Sequence, residues 1–502
     1  MDNLNRRDFL KLSGLTAAMT ALAACRPLIQ QPPTSPPSPT ALPSPSPKPR
    51  YDDWLIHRTL HRITFGPRPE EIARAKEIGI DNFIDEQLAP DTIPDTAVPP
   101  LLTGLSTLNS PPSQLINTDP PNLPVTELVT ATLLRAVHSK RQLYEMMVDF
   151  WTNHFNIYIS PAPERFLKLQ DDRDVIRQHA MGSFGDLLSA SAKSPAMLTY
   201  LDNAASTKDR PNENYARELL ELHTLGVDGG YTHFDIQEVA RAFTGWSTGS
   251  PRFNRRRIGD FIYRPELHDD GPKTILGRQL PAGQGISDGE QILDILVEHP
   301  STAEFIAAKL ARRFVADVPP APLVASAAAA FTQSRGDIAK VMGVILHSSE
   351  FKDSLGQKLK RPLEVFVSAL RLTNADFSAD RRLDVSMVQM GQPLFRWPTP
   401  DGYPDYAAAW LNTANLMARW NAALALAFGD RRGPARVNWA NLAGQAATNA
   451  QALDVLSLTL LGEPLPAAPR QIILDFVGGI MSDASLSAIG ALLLTSPHFQ
   501  FR

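Results

Sequence analysis

The clearest hydrophobic pattern in the chain runs from Arg141 to Ile157, RQLYEMMVDFWTNHFNI. At 100° per residue from Arg141, Leu143, Tyr144, Met146, Met147, Val148, Phe150, Trp151, Phe155 and Ile157 fall between about 140° and 340°. Gln142, Glu145, Asp149, Thr152, Asn153 and Asn156 take the remaining face, from about 20° to 120°. The pattern predicts a helix with one apolar side. His154 alone breaks the division, near about 220° in the middle of that side. It reads either as a core histidine with satisfied ring nitrogens or as a neutral imidazole held for metal binding or proton transfer.

A second helix is expected over Asn212 to Gly226, NENYARELLELHTLG, with Asn212 as its cap and Gly226 as its end. With Asn214 at zero, Leu225, Leu222, Tyr215 and Leu219 form one stripe between about 20° and 140°. Glu218 falls inside it near about 40°, and Glu221 flanks it at about 340°. A carboxylate that goes into the core must be paired, hydrogen-bonded, metal-bound or protonated. His154 is the partner this reading gives Glu218. His223, about 140° from Glu218, is turned away from the pair.

The rest of the body is mostly helical in pattern. Tyr51 to Ile63 stops at Phe65-Gly66-Pro67, and Pro69 opens a helix ended by Gly79. His57 and His61 stand four apart, which reads as chance spacing because no carboxylate motif accompanies them. Residues 91–123, rich in Pro, Ser and Asn, read as a long surface loop. Phe184 to Leu201 is helical, and Thr232 with Asp235 forms a capping pair for a helix through Phe243. Asp228-Gly229-Gly230 lacks the ligand spacing of a calcium loop. Residues 250–285, with Phe261-Ile262-Tyr263 and Thr274-Ile275-Leu276, read as a strand pair or irregular insert. Past residue 287 the pattern is helical again, and Tyr406, Trp410, Thr413, Met417, Trp420, Leu424 and Phe428 read as a core stripe. Trp397 and Tyr403, in a Pro/Gly loop, are free to form a lip that stacks a sugar or binds a peptide. The fold class is therefore mainly α: a large multi-helix, single-core body over 51–502, with a small β-hairpin or irregular insert.

The first 50 residues are address and tether. Asn5-Arg6-Arg7-Asp8-Phe9-Leu10-Lys11 resembles the twin-arginine export signal, followed by an apolar run from Leu12 to Ala24 too short to span a bilayer. Leu22-Ala23-Ala24-Cys25 resembles a bacterial lipobox. Cleavage after residue 24 would leave Cys25 as an acylated first residue, anchoring the protein to a membrane at the extracytoplasmic face or in the periplasm. Residues 25–50, dominated by Pro and Ser, predict a disordered, extended linker.

Composition narrows the chemistry. Cys25 is the only cysteine, so the body can hold no Cys-ligated metal, iron–sulfur cluster or c-type haem, and no disulfide. A divalent metal would rest on His and carboxylates, with His154, Glu218 and Glu221 as its candidates. The net charge of −4 becomes −5 once the signal is removed, and neither value gives a nucleic-acid footprint.

FWTNHFN at 150–156, YLDN at 200–203, NENYARELLELHTLGVDGGYT at 212–232, ARAFTGW at 240–246, HDDGPKTILG at 268–277, RPLE at 361–364 and GQPLFRWPTPDGYPD at 391–405 together resemble the bacterial domain-of-unknown-function family numbered 1800. The resemblance implies a mainly helical, often exported protein and an exported sulfatase-like protein as partner, and it brings no established activity to transfer. Two functions compete. One is a metal-assisted or acid/base hydrolase of an extracytoplasmic polymer or ester, with His154, Glu218 and His268 as catalytic groups and Asp202, Asn203, Asn214, Asp269, Trp397 and Tyr403 around the substrate. The other is a non-catalytic scaffold or binding lipoprotein, with the buried His and Glu as a core hydrogen-bond network.

Overall fold

In the computed structural model the described residues are 51–160, 163–249, 257–378, 381–429 and 435–502. The signal, Cys25, the tether through residue 50 and residues 250–256 of the insert lie outside them. Helices take 62% of the described residues, and the sheets among them are all two-stranded. One hydrophobic cluster joins them, reaching from Ile56 to Phe499.

The helix Gln142–His154 runs through that cluster, ending three residues earlier than its periodicity predicts, with Phe155 as its C-cap. Leu143, Met146, Met147 and Trp151 are fully buried, and the Trp151 indole donates to the Ala180 carbonyl at 3.0 Å. Much of the polar side is buried as well. Gln142 accepts from the Phe65 amide and donates to the Ala136 and Ser139 carbonyls, and Glu145 pairs with Arg177 at 3.1 Å. Asp149 faces Arg313 at 3.1 Å and also pairs with Arg361. A polar stripe that looks solvated in projection is thus the part that ties this helix to three other segments.

Arg371 makes a similar tie. Its fully buried guanidinium donates to the Gly66 and Val137 carbonyls and to Glu71, so the N-terminal helices are pinned to the helix Pro362–Leu372. Gly66 permits this approach. It sits at φ +132, and a Cβ there would lie 2.9 Å from Ser368 Cα.

Two expectations are corrected. Residues 91–123 are not one long loop, for Pro90–Thr92, Val98–Leu102 and Pro112–Leu115 are short helices, two of them opened by proline. The stripe from Tyr406 to Phe428 is core only in part: Trp410 is 4% exposed and Leu424 packs partly buried against the main cluster. The helix Thr413–Ala427 buries Arg419, Ala423, Leu426 and Ala427, whereas Tyr406 is 50% and Phe428 41% exposed. In the insert, Phe261–Tyr263 pairs with Trp246–Thr248 and Lys273–Ile275 with Arg278–Leu280, so each expected strand finds a different partner.

Candidate functional site

The predicted helix at Asn212 forms, with the Asn212 side chain accepting from the amides of Asn214 and Tyr215. It is α-helical only over Glu213–Glu218 and becomes a π-helix over Leu219–Thr224, where the Leu225 amide reaches back five residues to the Leu220 carbonyl at 2.8 Å. A π turn advances each residue by less than an α turn does, so a projection at 100° drifts out of phase through this segment. The consequence is an exchange of roles. His223 is buried, and its carbonyl lies 3.1 Å from His154 Nε2. Glu218 stays half-buried, where burial and the charge of Glu221 raise its carboxyl above the usual range. Glu218 and His154 are not a pair; the residue excluded on angular grounds is the one that touches His154.

That contact sets the His154 tautomer. A carbonyl can only accept, so Nε2 carries the proton and Nδ1 is the bare nitrogen. Nδ1 is buried without a partner among the described residues. Burial, Lys309 and His223 keep the ring neutral by holding its pKa well below the ordinary histidine value. Burial and Lys309 push His223 down to about 3. The rings lie 6.0 Å apart, among Phe155, Phe184 and Phe305.

His154 forms part of the wall of a cleft of about 340 Å³. The helix Pro300–Phe314 supplies Lys309 and Arg312 to it, and the segment 397–406 supplies Trp397, Asp401, Tyr403 and Tyr406. Lys309 is half-buried and makes no hydrogen bond or ion pair among the described residues; its ammonium sits 5.3 Å from the centre of the Phe305 ring. Burial and Arg312 lower its pKa to about 8, against the opposing pull of Asp405 and Asp401. The deeper cations are already matched: Arg313 and Arg361 share Asp149 and Glu364.

Two asparagines of the first helical string hold the opposite wall. Asn153 donates to the Tyr403 carbonyl at 2.8 Å and accepts from its amide at 2.7 Å. Asn156 donates to the carbonyls of Trp397 and Thr399 at 3.0 and 2.7 Å. Gly402, at φ +72, lies so close that a Cβ would meet the Asn153 carbonyl at 2.2 Å. Trp397 packs on Tyr403 with ring centres 4.8 Å apart, and its indole donates to Asp401. The two predicted aromatic residues therefore share one wall. Asn153→Ala with Asn156→Ala should loosen it, costing about 1–3 kcal/mol for each buried group left unpaired. Denaturant unfolding would measure the loss, and Trp397 fluorescence would report the changed wall.

The other predicted site residues are dispersed. His268 is buried in the insert, with Nδ1 2.8 Å from the Thr244 carbonyl and Nε2 3.0 Å from Asp288, which also binds Lys273 at 2.5 Å. Asp269 is clamped by Arg241 at 2.8 and 3.0 Å. Both tie the insert to the body and lie outside the cleft. Asp202, exposed at φ 60, is a left-handed turn residue, and the buried Asn203 donates to the carbonyls of Phe243 and Trp246. Asn214 is exposed on the first turn of its helix. No group of three or more His, Asp or Glu side chains among the described residues could hold a metal ion, so the set His154, Glu218 and Glu221 is not assembled.

The wall of the cleft is made from the same strings that carry the sequence resemblance, and the comparison with known families agrees. Residues 58–501 match the family of proteins of unknown function DUF1800. The chain belongs to this family. Residues 3–23 match the twin-arginine translocation signal, so this DUF1800 protein is exported by that route. No curated protein and no solved structure gives a significant match. In DUF1800 terms, FWTNHFN supplies His154 and both asparagines, GQPLFRWPTPDGYPD is the wall they hold, and RPLE supplies Arg361 and Glu364. Lys309 and Arg312 were invisible to sequence reading. They sit on an ordinary amphipathic helix, among many exposed cations, and nothing in their spacing marks them as facing a cleft.

Proposed function

We propose that this protein is an exported binding lipoprotein that captures an anionic, ring-bearing ligand in the cleft between Lys309 and Trp397. The observation that carries the reading is an uncompensated Lys309 ammonium opposite an aromatic wall. An ammonium free of carboxylate partners supplies a charge-assisted contact to an acidic group, and the faces of Trp397 and Tyr406 offer a stacking surface beside it. Acidic saccharides combine both properties. Lipid on Cys25 would hold the cleft at the extracytoplasmic face, where such polymers occur.

Titration of the protein with an oligogalacturonate, and with a neutral oligosaccharide of the same length, tests this. The acidic ligand should bind and the neutral one should not. Equal binding of the two, or binding of neither, removes the reading.

A second function, hydrolysis of the bound ligand, draws on Lys309 itself, because a group with pKa near 8 is suited to proton transfer at working pH. His154, with its strongly depressed basicity, is a poor base and fits better as a positioning acceptor. Release of new reducing ends from the oligogalacturonate would distinguish turnover from capture. An exported protein partner, including one of the sulfatase-like kind, would find apolar surface at Tyr406, Leu411 and Phe428, each at least 41% exposed. Co-purification under mild extraction tests that arm.

A further inference from the structure

A second cavity lies between the short helices after residue 90 and the helix Leu123–His138. Its volume is about 430 Å³, within the range of small-molecule sites. Val98, Leu102, Leu108, Leu128 and Leu169 give it an aliphatic side, and Arg135, Asp172, Arg173 and Arg177 a charged one. Leu128 and Leu169 are almost fully buried, and Leu102 and Leu108 are partly open at its rim.

Around this cavity three arginines meet three carboxylates, but they are not equally engaged. Asp172 binds Arg177 Nε at 2.9 Å, and Arg177 is further paired with Glu145 at 3.1 Å. Arg173 is engaged by Asp174 and by the Leu108 carbonyl. Arg135 has only the far edge of Asp172, at 3.9 Å, and its Nη1 is buried with no hydrogen-bond partner among the described residues. A buried guanidinium nitrogen without a hydrogen-bond acceptor is costly unless something supplies one. Burial and the neighbouring Arg177 act against the charge of Arg135, and Asp172 and Glu145 only partly offset them.

We propose that this cavity binds a medium-chain carboxylate, with its carboxylate on Arg135 and its hydrocarbon tail along Leu128, Leu169 and Val98. The head group answers the unpartnered guanidinium. The tail answers the aliphatic part of the lining.

The test is calorimetric titration of the full-length chain carrying Cys25→Ser, so that no attached lipid competes. Octanoate, decanoate, decanol and acetate are compared below the micellar range. Decanoate should bind, acetate should not, and each methylene between octanoate and decanoate should tighten binding about fourfold. Decanol should bind at least tenfold more weakly than decanoate. Arg135→Leu should abolish the difference between decanoate and decanol, and Arg135→Lys should restore part of it. Leu102→Trp, which narrows the cavity from its rim without touching the charge, should weaken binding of both, and a thermal melt of each variant checks that it folds. Equal affinity for decanol and decanoate, no dependence on chain length, or decanoate binding unchanged in Arg135→Leu would each overturn the proposal. Binding of anionic phospholipid vesicles without binding of free decanoate would overturn it too, in favour of a membrane-surface contact.

Discussion

Glu364→Gln is expected to cost the protein about 3–5 kcal/mol of stability, the range found when one partner of a buried ion network is removed. Glu364 is buried and forms ion pairs with Arg313, Arg502 and Arg361, at 3.0 Å for Arg502, while its second oxygen accepts from the Arg361 amide at 2.8 Å. Asp149 matches part of the charge on Arg313 and Arg361 but does not reach Arg502. Neutralising Glu364 therefore leaves Arg502 with no side-chain carboxylate within ion-pair distance among the described residues. Burial alone would raise the Glu364 carboxyl, but Arg313, Arg502 and Arg361 outweigh it and hold the group well below the usual carboxylate range. A depressed folded-state pKa means that the unfolded chain binds the proton first, so the stabilisation is complete above the ordinary glutamate value and is lost as pH falls below it. Urea unfolding of wild type and Glu364→Gln across pH 3–7 checks both points. The variant should be less stable at neutral pH and should show a shallower acid limb. An unchanged midpoint at pH 7 would refute the role assigned to this centre.

Lys309→Met carries the second large effect. Loss of one charge-assisted contact should weaken oligogalacturonate binding by about 10- to 100-fold, equivalent to about 1.5–3 kcal/mol. The variant should still fold, since the ammonium has no partner to abandon and methionine replaces its aliphatic stem. In wild type the same contact should fade as pH rises through about 8, where Lys309 loses its proton. The sign is opposite for folding. A lysine with lowered pKa binds its proton more weakly in the folded chain than in the unfolded one, so this residue's contribution to stability grows as pH rises from about 8 toward the ordinary lysine value. Affinity and stability should diverge with pH in wild type; in Lys309→Met the affinity trend should vanish and the stability trend should shrink to the share of the buried lysines Lys358 and Lys360. Parallel calorimetry and thermal melts from pH 6 to 10 would separate them; affinity independent of pH over that range would exclude Lys309 as the anion contact.

Much of the fold was legible in local pattern. The helix around Met146, the Asn212 and Thr232 caps, the mainly helical class and the export signal all rest on neighbouring residues, and each appears where that chemistry places it. Cleavage and acylation at Cys25 remain a sequence expectation of the same local kind. His154 was also marked correctly as a buried histidine on an apolar face. Its partner was not, because the projection assumed a uniform helix and the segment Leu219–Thr224 is wound as a π-helix. The stripe from Tyr406 to Phe428, buried at Trp410 but open at both ends, held only in part for another reason: periodicity shows that a helix has an apolar side, but says nothing about whether anything packs against it.

The sequence by itself determined the mainly helical class, the caps at Asn212 and Thr232, how the chain is addressed, and which chemistries a body without cysteine cannot perform, since these depend on residue identity and close spacing. Only the tertiary structure decided that His154 meets His223, that Asn153 and Asn156 hold a wall some 240 residues further on, and that Lys309 stands unpaired in front of it. Those facts depend on long-range packing and on which charges are left over after every buried pair is made. A residue's remaining charge is a property of the whole assembled core, and no local pattern carries it.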